Sequence, residues 1–143
     1  MLLVEDNDDD AELARAAFGR CEVPIDLVVV EDGFEALDYL FRRGAHAARK
    51  PGAPDLVLLD LKLPGIDGFE VLRQIRAEDD TFGVAVVVFT SSAEETDIER
   101  SVRFGANSYV RKPIDFDQFL GVAEKLATYW LLLNQRPVPG GLA

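Results

Sequence analysis

Leu56-Val57-Leu58-Leu59-Asp60-Leu61-Lys62-Leu63-Pro64-Gly65-Ile66-Asp67-Gly68 reads as a buried strand that runs straight into a carboxylate, then a tight turn and a helix start. The run Leu56 to Leu59 has no polar alternate, so both faces of the strand need cover, as in a parallel sheet with helices on either side. Ile25 to Val30 and Val84 to Phe89 have the same two-faced character, and shorter runs stand at Leu2 to Val4 and Ser108 to Val110. Helical spacing fills the gaps between them: Leu13, Ala14, Ala17 and Phe18; Phe34, Leu37, Leu40 and Phe41; Phe69, Leu72 and Ile75; Ile98 and Val102, ending at Gly105; and a last helix from Asp115 or Asp117. Asn7-Asp8-Asp9-Asp10 offers the first helix a cap and a favourable charge at its N-terminus. The pattern predicts an α/β fold, a doubly wound five-stranded parallel sheet with five helices.

The chain has 143 residues, 48% of them hydrophobic, which is enough for one core. We expect a single domain over residues 1–134 and a flexible tail over 135–143, with no room for an output domain. The first run is short, and a few native residues are expected to be missing upstream of it. Twenty-six acidic against fifteen basic side chains give a formal charge of -11, which argues against nucleic-acid and anionic-membrane partners. One Cys and one His cannot assemble a zinc site, and a lone Cys21 excludes an internal disulfide. No apolar run approaches membrane-spanning length, so a cytoplasmic protein is expected. Arg42 to Pro54 lacks periodicity and reads as an exposed loop, with His46 an ordinary surface residue.

In an open parallel sheet, side chains at the carboxyl ends of the strands meet in one crevice. Here the first strand ends in Glu5-Asp6, the third in Asp60, the fourth in Thr90-Ser91-Ser92 and the fifth in Arg111-Lys112-Pro113. Three carboxylates close together repel unless a cation joins them, and an all-oxygen donor set suits Mg²⁺. A carboxylate so placed can attack phosphorus, with a hydroxyl and an ammonium sharing the charge of the transferred oxygens. Asp8, Asp9 and Asp10 read as a solvated first turn, and Gly65 and Gly68 as backbone devices for the loop and helix start.

Val4-Glu5-Asp6-Asn7, the Leu58-to-Gly68 stretch, Phe89-Thr90-Ser91-Ser92 and Tyr109-Val110-Arg111-Lys112-Pro113 together resemble, in order, the landmarks of two-component response-regulator receivers. The resemblance covers nearly the whole chain. It implies the flavodoxin-like strand order 2-1-3-4-5 and a phosphoacceptor signalling domain, not an enzyme, whose Asp60 takes phosphoryl from a histidine kinase. It further implies Asp6 as a direct Mg²⁺ ligand beside Asp60, Glu5 acting through metal-bound water, and Lys62 contributing its backbone carbonyl. Thr90 and Lys112 would bind the phosphoryl oxygens, Thr90 and Tyr109 would form the switch, and the Lys112-Pro113 bond would be cis. The long loop before the third strand, the Thr90-Ser91-Ser92 turn and the Tyr129-Trp130-Leu131 end resemble, more finely, the small regulators paired with phytochrome-type histidine kinases.

Two competing readings are a flavodoxin-like cofactor binder cradling phosphate at Thr90-Ser91-Ser92, and a degenerate receiver serving only as a binding module. The first lacks the glycines that phosphate loops use for close backbone approach. The second has to explain five intact pocket positions. Tyr129-Trp130-Leu131-Leu132-Leu133 makes the end of the last helix apolar nearly all round, more than one buried stripe requires. A homodimer through Tyr129, Trp130 and Leu131 is the expectation that follows.

Overall fold

A computed structural model describes residues 1–136. Its strands are β1 (Leu2–Val4), β2 (Val28–Val30), β3 (Val57–Leu59), β4 (Val86–Thr90) and β5 (Ser108–Arg111). They form one sheet in the order β2-β1-β3-β4-β5, with every pairing parallel. The helices between them are α1 (Asp8–Gly19), α2 (Gly33–Phe41), α3 (Gly68–Ala77), α4 (Glu95–Arg103) and α5 (Phe116–Ala127). The fold class is that read from the sequence pattern, and the strand order is that implied by the resemblance to receivers.

Alternation along the strands divides the core. Val57, Leu59 and Val86 pack with Leu37, Leu40, Val71, Leu72 and Ile75 under α2 and α3. Leu58, Val87 and Phe89 point the other way, onto Ala14, Phe18, Phe119 and Ala123 of α1 and α5. That is why β3 shows no polar alternate: it is covered on both sides. Four helices open on a side-chain cap, Asn7 to the Asp10 N–H, Asp32 to that of Glu35, Asp67 to that of Glu70 and Asp115 to that of Gln118. Gly65 has a φ of 78°, and a Cβ on Gly68 would lie 2.3 Å from the backbone oxygen of Asp60. Both glycines are therefore required by the loop that follows β3.

Four regions differ from the sequence expectation. The segment from Arg42 to Pro54 is largely exposed, as expected, but is not a plain loop: it contains a 3₁₀ turn, Gly44–His46. Arg49 closes it, donating to the carbonyls of Tyr39, Leu40, Lys50 and Gly52 while its guanidinium lies 4.4 Å from the Tyr39 ring centre. His46 is part of this packing, edge-on to Tyr39 at 5.2 Å and 3.4 Å from Glu35. On α4, Ile98 and Val102 are exposed, and Ser101 is the buried residue. The inward face runs through Asp97, Ser101 and Phe104, because the Ser101 hydroxyl can satisfy itself on the Asp97 carbonyl at 2.8 Å.

The third difference is that the last helix does not continue as an α-helix. It widens into a π-helical turn over Thr128–Leu133. Trp130 and Leu131 are half-buried against the α1–α5 side of the core, while Tyr129, Leu132 and Leu133 are 50%, 61% and 62% exposed. Fourth, Arg136, placed by sequence in the tail, is tied down by Asp55 at 2.7 Å and by the Pro54 carbonyl at 3.3 Å. Residues 137–143 of the expected tail lie outside the described residues. No helix among the described residues is long and apolar enough to cross a membrane.

Candidate functional site

Parallel strands about 4.8 Å apart deliver the residues after their last rungs to neighbouring points in space. Val4 pairs with Leu59, so Glu5-Asp6 and Asp60 leave the sheet side by side. The Asp60 N–H donates to the Val4 carbonyl at 3.2 Å and the Glu5 N–H to that of Val30 at 3.0 Å. These bonds extend the ladder one residue past the strands and fix both acids. Oxygens of Glu5, Asp6 and Asp60 lie within 4.8 Å of one another. Glu5 and Asp60 are buried and Asp6 is exposed.

Lys112 reaches this cluster from the far side of β4. Its Nζ donates to Asp60 Oδ2 at 3.0 Å and to Asp10 Oδ2 at 3.0 Å, and pairs with Glu5 Oε1. The expected cis bond is not there: among the described residues every peptide bond is trans, Lys112-Pro113 included. The aim of Lys112 comes instead from the sheet. The β4–β5 register ends with Thr90 opposite Arg111, and the Lys112 N–H continues it to the Thr90 carbonyl at 2.8 Å. From that fixed backbone the flexible four-carbon stem spans the remaining distance.

Burial pushes the Glu5 carboxyl up to about 7, against the pull of Lys112. Burial also works against the Lys112 ammonium, but its bonds and attraction to Glu5 and Asp60 prevail and hold it above its ordinary value. Lys112 is therefore a fixed positive charge in the crevice.

Asp10 is the residue that sequence reasoning missed. It belongs to α1, where the sequence alone reads as a solvated first turn, yet it shares Lys112 with Asp60. A signal was available: with Asn7 as the cap, Asp10 is the third helical residue, and helical side chains tilt back toward the N-terminus, here toward the end of β1.

Thr90 is buried, and its Oγ1 accepts from the Ser92 N–H at 3.5 Å. Ser92 organises the loop after β4: its hydroxyl donates to Asp97 Oδ2 at 2.8 Å, and its carbonyl accepts from Tyr109 Oη at 2.9 Å. Thr90 and Tyr109 thus meet through one residue. Lys62 is exposed, with its N–H 3.4 Å from Asp60 Oδ1.

The donor chemistry fits a divalent cation. Glu5, Asp6, Asp10 and Asp60 carry four carboxyl groups against one ammonium. Asp6 makes no ion pair with Lys112. An all-oxygen set with excess negative charge binds a hard cation in preference to a soft one.

Residues 1–124 match the response regulator receiver domain. The chain belongs to that family. Over 139 residues it is 39% identical to the probable methanogenesis regulatory protein FilR2 of Methanothrix harundinacea, covering 97% of this chain and 88% of that one. The response regulator Rcp1 of Synechocystis sp. is 31% identical over 131 residues, covering 92% and 88%. The structure of its Mn²⁺-bound form matches with a TM-score of 0.85 over 96% and 97% of the two chains. The phosphorylated cyanobacterial phytochrome response regulator RcpA matches with a TM-score of 0.88, at 36% identity, over 96% of each chain. The receiver is thus homologous to phytochrome response regulators, and the flavodoxin-like cofactor binder is not favoured.

A cation held between the three acids should stabilise the fold by mass action, by about 2.7 kcal/mol at a hundred times its dissociation constant. Thermal denaturation of this receiver should therefore shift upward with millimolar Mg²⁺ or Mn²⁺ and not with matched NaCl. Asp6→Asn should remove most of the shift while leaving the metal-free melting temperature near that of the parent. Equal shifts in parent and variant would show that the cation binds elsewhere.

Proposed function

We propose that the chain is a cytoplasmic phosphorelay receiver that accepts a phosphoryl group on Asp60 from a phosphohistidine of a histidine kinase. The observation that supports it is the buried Asp60 carboxylate held 3.0 Å from the Lys112 ammonium at the mouth of the sheet. An Asp60 oxygen attacks phosphorus, the P–N bond breaks, and its electron pair stays on the imidazole nitrogen. The product is an acyl phosphate. Lys112 meets the charge on one phosphoryl oxygen and the Thr90 hydroxyl donates to another. Asp6, Asp60, the Lys62 carbonyl and, through water, Glu5 would hold Mg²⁺, which neutralises phosphoryl charge when bound.

Drawing the Thr90 hydroxyl toward Asp60 takes it from the Ser92 N–H, and the loop that Ser92 shares with Asp97 and Tyr109 has to readjust. Tyr109 would then turn inward and alter the surface of α4 and β5. The similarity to RcpA and Rcp1 supports a phytochrome-type kinase as the donor. All of the pocket groups are present, so a binding module without phosphotransfer is the weaker reading. Radiolabel from acetyl phosphate or a histidine kinase should be retained by the parent chain and fall to background in Asp60→Asn. Substantial label on the variant would place the acceptor elsewhere.

A homodimer through the end of α5 accompanies this proposal. Tyr129, Leu132 and Leu133 form an exposed apolar patch next to the half-buried Trp130 and Leu131, and a two-fold contact would cover it with its own copy. Because Trp130 and Leu131 also pack inward, Tyr129→Ser with Leu133→Ser is the better disruption. Sedimentation at tens of micromolar should give a dimer for the parent and a monomer for the double variant. A parent that stays monomeric with and without a phosphoryl mimic overturns the dimer.

A further inference from the structure

A lysine ammonium has three N–H donors. In this structure Lys112 has three carboxylate partners, Glu5, Asp10 and Asp60. For Lys112 to take a phosphoryl oxygen of the incoming donor while Asp60 is still a carboxylate, one of the three has to release it. Glu5 is 3% exposed and Asp60 8%, and a buried carboxylate stripped of its partner loses a counter-charge that water cannot replace. The Asp10 side chain is 41% exposed, so water can take over its bond at little cost. Asp10 is also the partner that belongs to a helix rather than a strand end. Its backbone is pinned by the Asn7 cap at 2.9 Å, so the carboxylate is presented to the crevice without being part of the sheet. The helix N-terminus alone does not account for this placement. Asp8 and Asp9 occupy the same first turn, and among the described residues neither forms an ion pair.

We propose that Asp10 is a positioning residue that occupies one donor of Lys112 in the unphosphorylated receiver, competes with the phosphoryl group for it, and so restrains phosphorylation of Asp60. The inference rests on Asp60 being the acceptor. It makes the readiness of the site adjustable from α1, outside the strand-end residues that carry the chemistry. The carboxylate also adds negative charge where an anionic phosphodonor has to enter.

The test is the initial rate of phosphorylation by acetyl phosphate at saturating Mg²⁺. In that reaction an Asp60 oxygen bonds to phosphorus while the P–O bond to the acetyl group breaks and its electrons leave on acetate. The Lys112–Asp10 pair is open to water only on the Asp10 side, where solvent weakens it, and a change of about 1 kcal/mol is roughly fivefold in rate. Asp10→Asn, which keeps the side chain's shape, should therefore accelerate labelling about threefold to fivefold. Asp9→Asn removes the same charge from the same turn and should leave the rate unchanged. Asp10→Glu keeps the carboxylate and should return the rate toward that of the parent, with the melting temperatures of all variants within a few degrees. A rate for Asp10→Asn equal to or below the parent's overturns the inference, as does an equal acceleration by Asp9→Asn. Absence of label from the parent itself overturns the assignment of Asp60 and this inference together.

Discussion

One ammonium holds the crevice of this receiver together. Lys112 stands between a carboxylate from the end of β1, one from the end of β3 and one from the first turn of α1. Taking these charges out of water is costly, and breaking a buried pair by removing one partner typically costs about 3–5 kcal/mol. Lys112 cannot fill this role unless β5 lies in register against β4, because the bond from its N–H to the Thr90 carbonyl sets the origin of its side chain. The acids in turn depend on β1 lying against β3. The fold therefore has a chemical purpose at one end of its sheet, and the rest of the core serves to keep four strand ends in place.

Against that rigid end, α4 is held lightly. Ser101 is its only fully buried residue, and its other ties are the Ser92–Asp97 bond at one end and, at the other, Arg100 and the capping Phe104, whose ring centre lies 6.0 Å from that of Phe69. The Arg100 guanidinium lies 3.9 Å from the centre of the Phe69 ring on α3. Beyond α4, Arg76 links α3 to the chain on either side, donating to the carbonyls of Gly105, Phe82 and Val84 and to Asn107 Oδ1. The Asn107 side chain also accepts from the Val86 N–H, so this staple reaches into β4. An element with few buried contacts between two well-fastened neighbours is the kind that opens or shifts at low free-energy cost. The Thr90–Ser92–Tyr109 connection runs directly to it.

The sheet was legible because its strands are covered on both faces, which leaves unbroken apolar runs such as Val57-Leu58-Leu59 and Val86-Val87-Val88. The strand-end acids and Lys112 were legible because the carboxyl ends of parallel strands converge whatever the loops do. What the sequence concealed depends on partners far along the chain. Asp10 looks like any acidic first turn until Lys112, 102 residues away, is placed beside it. The segment from Arg42 to Pro54 has no apolar period because one side chain, Arg49, organises it through backbone carbonyls. On α4 the apolar positions misled, since a serine that bonds its own helix can be buried while Ile98 and Val102 face water. The trans bond before Pro113 was missed because the resemblance supplied a cis bond, although a sheet hydrogen bond already directs Lys112.

Of the four acids in the crevice, three of them on Lys112, Asp60 is the proposed nucleophile. Borohydride reduction converts an acyl phosphate to an alcohol, so treating the phosphorylated chain and mapping its peptides by mass spectrometry identifies the modified side chain directly. Homoserine is expected at position 60, with Glu5, Asp6 and Asp10 unmodified. A reduced side chain at any of those three positions, with Asp60 intact, would place the nucleophile elsewhere.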